Sequence, residues 1–277
     1  MKIGVRAHDF GCLEPAALAK ALKDSGFGAA QLALTKAIAG VETIYDPDAA
    51  LLENIRKEFE QNNVEISVLG CYMEIGYLDK DERLQEVDKF KKGIEHAKVL
   101  GAKCIGTETT RFPMSGMEHM REQAYLGVKD SVLRMAEHAE RFGVDIALEP
   151  VADHTLNTAQ LTKRLQEEVG SKRIKIIFDP VNQIRTKANM QRQEEIYANF
   201  FEILGNDIVA LHVKDIVLSE SEEEVWRNIG CGDVNNAFVF DWMRKNKPDI
   251  SALREHVMLD SYNTDVEAIR RLIGGNV

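Results

Sequence analysis

The sequence predicts a single (β/α)8 TIM barrel filling residues 1–277, on three observations. Its length is close to the roughly 250 residues such a barrel takes. Short β-rich apolar runs alternate with longer stretches of helical periodicity, and eight such pairs follow one another with no Ser- or Pro-rich linker. The first strand-to-helix turn reads AHDFGCLEP, and neither GxGxxG nor GxxxxGK[ST] occurs, which disfavours the open, nucleotide-binding alternative.

The strand expected at 2–7 leads to a helix opened by Glu14 and Pro15, where proline suits a first turn, and closed by Gly26; Leu18, Ala21 and Leu22 share its inner face. A strand at 29–34 is followed, after the turn residues Asp46 and Pro47, by a helix reaching Asn63 with Leu51, Ile55 and Phe59 as its stripe. Strand three at 65–69 precedes a helix at 81–100 that stops at Gly101, and strand four at 103–107 precedes one at 117–142 that stops at Gly143. Strand five, 144–148, delivers Glu149; its helix is capped by Asn157 or Thr158 and ends near Gly170. Strand six, 174–178, delivers Asp179 and is followed by a helix at 190–204. Strand seven, 208–213, carries His212, and the long connection 219–236 holds an acidic run and GCGDVN before a helix with Phe238 and Trp242. The eighth strand is placed at 255–259, delivering Asp260, and a last helix at 266–273.

Composition narrows the function classes. Hydrophobic residues make up 44% and charged residues 29%, enough for a core and a wet surface. With 35 Lys and Arg against 45 Asp and Glu the net charge is -10, so a nucleic-acid partner is not expected. No apolar run approaches the roughly 18 residues of a membrane helix, and His8 and Asp9 interrupt the start before a signal core forms, so a cytoplasmic protein without a membrane partner is expected. Cys12, Cys71, Cys104 and Cys231 show no zinc spacing and read as reduced, mostly structural thiols.

In such a barrel the active site lies at the C-terminal strand ends. Four consecutive strands there end in a metal-ligating residue: Glu149, Asp179, His212 and Asp260. Adjacent strands lie about 5 Å apart, so the four can converge on one ion. Three carboxylates and an imidazole, without a thiolate, suit one divalent Mn, Mg or Co ion, with Zn a further candidate. The alternative is a set of isolated helix caps and surface acids.

EPVADHTLNT, FDPVNQI and LHVKDI, in that order at the ends of strands five to seven, resemble the xylose isomerase-like barrel superfamily of sugar phosphate isomerases and epimerases; KIGVRAHDFG, VLGCYMEIG and IGTETT read similarly at strands one, three and four. The resemblance implies that Glu149 binds the metal and acts as acid or base, that Asp179 and His212 are ligands, and that Asn182 sits where relatives carry a substrate-facing His or Asn. Asp260 occupies the place where this superfamily commonly has Glu, a departure that shortens its reach by one methylene. In related epimerases two metal-binding carboxylates divide proton removal and return, which assigns Glu149 and Asp260 here as the catalytic pair.

Residue type and resemblance together point to a divalent-metal-dependent isomerase or epimerase of a sugar, sugar phosphate or cyclitol, acting by proton transfer beside a carbonyl. Its substrate contacts are expected from His8, Tyr72, Glu108, His154, Asn182 and Lys214, each with a plain structural alternative such as a rim ion pair or a buried aromatic. Gly230–Asp233 is the one local nest for a phosphate, and its own Asp makes it unattractive, which favours an unphosphorylated carbohydrate. The acidic run 220–224 reads as a solvated helix start. Alternatives are an inosose-type dehydratase, an endonuclease IV-like phosphodiesterase, for which seven histidines are few, and a non-catalytic binding barrel. Phe238, Phe240 and Trp242 could support a homo-oligomer or pack on the barrel wall.

Overall fold

The computed structural model describes residues 1–112 and 117–275. Its strands are β1 (Lys2–Arg6), β2 (Ala29–Leu32), β3 (Glu65–Gly70), β4 (Cys104–Glu108), β5 (Asp145–Glu149), β6 (Ile174–Phe178), β7 (Ile208–Val213), β8 (Ile216–Leu218), β9 (Glu224–Trp226) and β10 (Ser251–Arg254). Eight of these pair in parallel and close in the order β1-β10-β7-β6-β5-β4-β3-β2, a (β/α)8 barrel as the alternation predicts, while β8 and β9 form a separate antiparallel hairpin.

The outer layer is α1 (Pro15–Asp24), the short α2 (Leu34–Ala37), α3 (Ala49–Gln61), α4 (Lys80–Leu100), α5 (Arg121–Phe142), α6 (Ala159–Val169), the short α7 (Lys187–Met190), α8 (Gln193–Leu204), α9 (Asn236–Asn246) and α10 (Tyr262–Gly274). Thr158, not Asn157, caps α6 by accepting the Leu161 N–H, and Gly101, Gly143 and Gly170 end α4, α5 and α6 in the left-handed conformation. Phe240 is buried and Trp242 stacks on Phe201 at 4.2 Å, so this aromatic group covers the barrel wall. All four cysteines are free, and among the described residues no helix is long and apolar enough to cross a membrane.

The barrel interior explains where the site lies. Ala29, Val68, Cys104, Ala147, Ile177, Ala210 and Leu253, all buried strand residues, form a cluster of their own. Side chains alternate along a strand, so the residue two positions on shares the same face. Two residues beyond Ala29, Ala147, Ile177, Ala210 and Leu253 come Gln31, Glu149, Asp179, His212 and Glu255, which places five polar side chains in one layer above an apolar floor. The floor is tight: a Cβ on Gly4 would lie 2.6 Å from Leu253 and one on Gly106 2.7 Å from Val68.

Two expectations are corrected. The eighth barrel strand is Ser251–Arg254, so Glu255 follows it and Asp260 lies five residues further on, exposed, in the turn before α10. This strand carries the fully buried Arg254, whose charge is matched by the equally buried Asp265 at 2.8 Å. The acidic run belongs to the β8–β9 hairpin rather than to a helix: Glu222 takes a left-handed φ of 62° in its turn, and Glu224 opens β9.

Candidate metal centre

Glu149, Asp179 and His212, at the ends of β5, β6 and β7, offer ligand atoms that all lie within 4.8 Å of one another, each residue almost fully buried. Each carboxylate has one oxygen engaged by the polypeptide. Asp179 Oδ1 accepts the N–H groups of Val181 at 2.9 Å and Asn182 at 3.2 Å, and Glu149 Oε1 accepts the Asn182 amide at 2.6 Å. Glu149 Oε2 is buried and receives no hydrogen bond, while Asp179 Oδ2 has ion-pair contacts only. An orphaned buried carboxylate oxygen is costly unless something pairs with it, and a cation is what this donor set fits.

Gln31 orients the imidazole. Its amide nitrogen donates to the Tyr72 hydroxyl and toward Glu255 Oε1 at 3.4 Å, which leaves Oε1 to accept the His212 Nε2–H at 2.5 Å. His212 Nδ1 therefore faces inward, 3.2 Å from Glu149, 3.6 Å from Glu255 and 3.7 Å from Asp179. This is the arrangement by which an outer partner fixes a metal-ligating histidine. Gln31 falls at the predicted end of strand two, but an amide gives no metal-ligand signal in a sequence.

Glu255 completes the group from β10. Its carboxylate meets Lys214 Nζ at 2.8 Å and Arg6 at 3.8 Å, and Lys214 Nζ also lies 2.5 Å from Asp179 Oδ2. Burial alone would raise its pKa, but His212, Lys214 and Arg6 outweigh that and bring it to about 2. Asp179 is likewise held well below the ordinary carboxylate range, burial being overcome by Lys214 and His212. Glu149 moves the other way, raised by its burial. Burial, then the like charge of Glu149, pushes Glu108 up to about 8.

A cavity of about 420 Å³ lies against this group, reaching it through Gln31, Lys214 and Glu255, with His8, Tyr72, Glu108 and Asn182 also in its wall, while Glu149, Asp179 and His212 lie behind that lining. His154 stands behind Glu108, 3.8 Å from its carboxylate, and does not line the cavity; Asp260 is outside the group altogether. Arg6, Lys36, Arg185, Glu224, Trp226 and His256 also line the cavity and carry no strong motif signal in sequence. Trp226 stacks on His256 at 3.7 Å, and His256 holds a left-handed φ of 58° directly after Glu255. Asp215 occupies the nest noted in the sequence, accepting the N–H groups of Gly230 at 2.8 Å, Gly232 at 3.1 Å and Val234 at 3.2 Å. Those donors are thereby consumed by the chain itself.

The xylose isomerase-like TIM barrel family model matches residues 19–271. The chain belongs to that family. Its fold is similar to a D-tagatose 3-epimerase-like protein, at 18% identity and TM-score 0.79, covering 100% of this chain and 98% of that one. It is similar to the probable 3-DHS dehydratase AsbF of Bacillus anthracis, at 16% identity, TM-score 0.75 and 98% coverage of both chains. It is also similar to the IOLI protein crystallised with a zinc atom, at 15% identity, TM-score 0.70, covering 100% of this chain and 99% of that one. No curated protein sequence matches this chain. An epimerase-like protein and a probable dehydratase thus share the architecture.

Proposed function

We propose that this member of the xylose isomerase-like family is a divalent-metal-dependent isomerase or epimerase of an unphosphorylated sugar or cyclitol, with Glu149, Asp179, His212 and Glu255 as the ligand set. The observation that carries the reading is the pairing of one anchored and one unbonded oxygen on buried Glu149, beside an imidazole turned inward by Gln31. The donor set favours Mn, Mg or Co, with Zn also accommodated. When bound, such an ion supplies Lewis acidity toward a carbonyl oxygen.

The residues divide the remaining work. Glu149, made more basic by its burial, takes the proton from the carbon beside the carbonyl. Asn182 keeps that carboxylate oriented through its 2.6 Å hydrogen bond. Glu108, whose pKa of about 8 keeps it protonated at neutral pH, donates a hydrogen bond to a substrate oxygen across the cavity. His8, with an unpartnered Nδ1, and Tyr72 offer further hydroxyl contacts. Glu255, three barrel strands round from Glu149, is the second carboxylate; ionised at rest and lining the cavity, in an epimerisation it would relay a proton taken up from solvent to the carbon while Glu149 gives its own up to solvent. A dehydratase of the inosose type is the second reading, supported by the similarity in fold to the probable 3-DHS dehydratase AsbF.

The test is deuterium wash-in. Ketoses and cyclitols incubated in D2O with Mn-loaded protein are expected to gain deuterium beside the carbonyl, and Glu149→Gln to abolish it while still folding. Isomer formation identifies the first reading and loss of water from the product the second. No exchange with any of these substrates, or exchange untouched by Glu149→Gln, would overturn the proposal.

A further inference from the structure

Lys214 is the residue whose position the ligand set does not explain. It is buried, 6% exposed, and lies two residues after His212, so its side chain faces the barrel interior one layer above and its ammonium reaches back to the carboxylates. Its ammonium is 2.5 Å from Asp179 Oδ2 and 2.8 Å from Glu255 Oε2, and so bridges two carboxylates of the proposed centre that come from strands on either side of β7. It is far from interchangeable with the other cations of the wall. Arg6 spends its nearest contacts on Asp9, and Arg185 on Asp153 and Glu224, whereas both acids that Lys214 touches belong to the proposed ligand set.

We propose that Lys214 is a built-in competitor of the divalent ion, a tethered cation that shares Asp179 and Glu255 with it and sets the metal affinity of the centre low enough for reversible exchange. The proposal rests on the metal-centre reading above and adds its regulation. The physical argument is one of charge. Glu149, Asp179 and Glu255 bring three carboxylates into a small, dry volume, and a fixed positive charge in contact with two of them removes part of the field that would attract a doubly charged ion. Two like charges served by the same oxygens also repel across a short distance in a medium that screens poorly. The ammonium in return keeps the carboxylates together, since two buried acids that lose their common counter-charge repel one another and carry the full cost of desolvation. One residue thus stabilises the centre while limiting how tightly it holds an ion.

The test compares Mn2+ binding to wild type, Lys214→Met and Lys214→Arg by titration calorimetry after stripping with EDTA. Lys214→Met, which keeps the length and loses the charge, is expected to bind Mn2+ at least about tenfold more tightly and to release it to EDTA at least about tenfold more slowly. Lys214→Arg keeps the charge and should stay within a few-fold of wild type. The thermal midpoint provides a readout independent of turnover: Lys214→Met should fall below wild type without metal and gain more from added Mn2+. Lys214→Gln carries the same expectations should the methionine variant fail to fold. Equal affinity in wild type and Lys214→Met, with both binding, would overturn the competitor role and leave the metal centre standing. Weaker binding by Lys214→Met would overturn it too, making the lysine a scaffold. No Mn2+ bound by any of the proteins would overturn the metal-centre reading and this proposal with it.

Discussion

The two walls of the candidate site are built differently. Glu149, Asp179 and His212 sit at the ends of three neighbouring barrel strands whose register is set by backbone pairing along β5, β6 and β7. Beside them, Glu255 directly follows β10, itself paired with β7 and β1, and donates its N–H to the Val213 carbonyl at 3.2 Å, whereas His256 and Trp226 lie off the barrel strands and depend on side chains. Arg254 binds Asp265 and the Arg227 carbonyl, Trp226 stacks on His256, and Asp9, paired to Arg6, accepts the Val257 N–H at 3.0 Å. A wall fixed by backbone tolerates loss of a side chain without moving, whereas one fixed by ion pairs and stacking shifts when a single partner goes.

The largest effect should come from the second wall. Arg254→Met leaves Asp265 buried without its counter-charge and is expected to destabilise the protein by about 3–5 kcal/mol, read by urea unfolding, with loss of Mn2+ affinity as Glu255 moves. A cost under about 1 kcal/mol would show that this wall is not held by the pair. Gln31→Leu, acting on the first wall through His212, removes the acceptor of the His212 Nε2–H and should weaken Mn2+ binding about 10–100-fold with the far-UV spectrum unchanged. Unchanged affinity would remove Gln31 from the account. Trp226→Ala should lower stability by about 1 kcal/mol and raise KM while leaving metal affinity alone, because the stack belongs to the mouth of the cavity and not to the ligand set.

The smallest expected effect is a pH dependence. The folded-state pKa of Glu108, at about 8, lies above its ordinary value of 4.5, so folding favours its protonated form. Its contribution to stability is then fully present below about pH 4.5 and is lost as pH rises through about 8. Metal-free wild type should therefore lose more thermal midpoint than Glu108→Gln between pH 5 and pH 8.5, by about 1–3 °C, the partial exposure of the side chain keeping the difference small. Parallel pH profiles for the two proteins would contradict the assigned environment.

The same contrast between walls governs what can be read in the sequence. Strands five to seven are short apolar runs that each meet a ligand-type residue at or beside their end, so Glu149, Asp179 and His212 are legible by position and residue type together. The eighth strand is Ser-Ala-Leu-Arg, poor strand formers with a charge that Asp265, eleven residues on, and the Arg227 carbonyl make tolerable in the interior, while the following EHVML looks more like a strand. The displaced strand gave Asp260 the role that the geometry offers to Glu255. Gln31 and Trp226 escape for a related reason: one acts through a hydrogen bond to a residue 181 positions away and the other through a stack on a loop histidine. The hairpin was hidden by its acidic turn, whose charge suggested a solvated helix start and whose Glu224 in fact pairs with Arg185 at 3.1 Å.

The most direct test of the central claim is elemental analysis of divalent metal in purified wild type beside Glu149→Ala, Asp179→Ala, Glu255→Ala and Asp260→Ala, each reconstituted with Mn and desalted. The account predicts one ion per chain in wild type and in Asp260→Ala, none in Glu149→Ala and Asp179→Ala, and a marked loss in Glu255→Ala, all four variants folded. An ion that survives Glu149→Ala and Asp179→Ala, or one lost in Asp260→Ala but kept in Glu255→Ala, would contradict it, as would wild type that retains no metal at all.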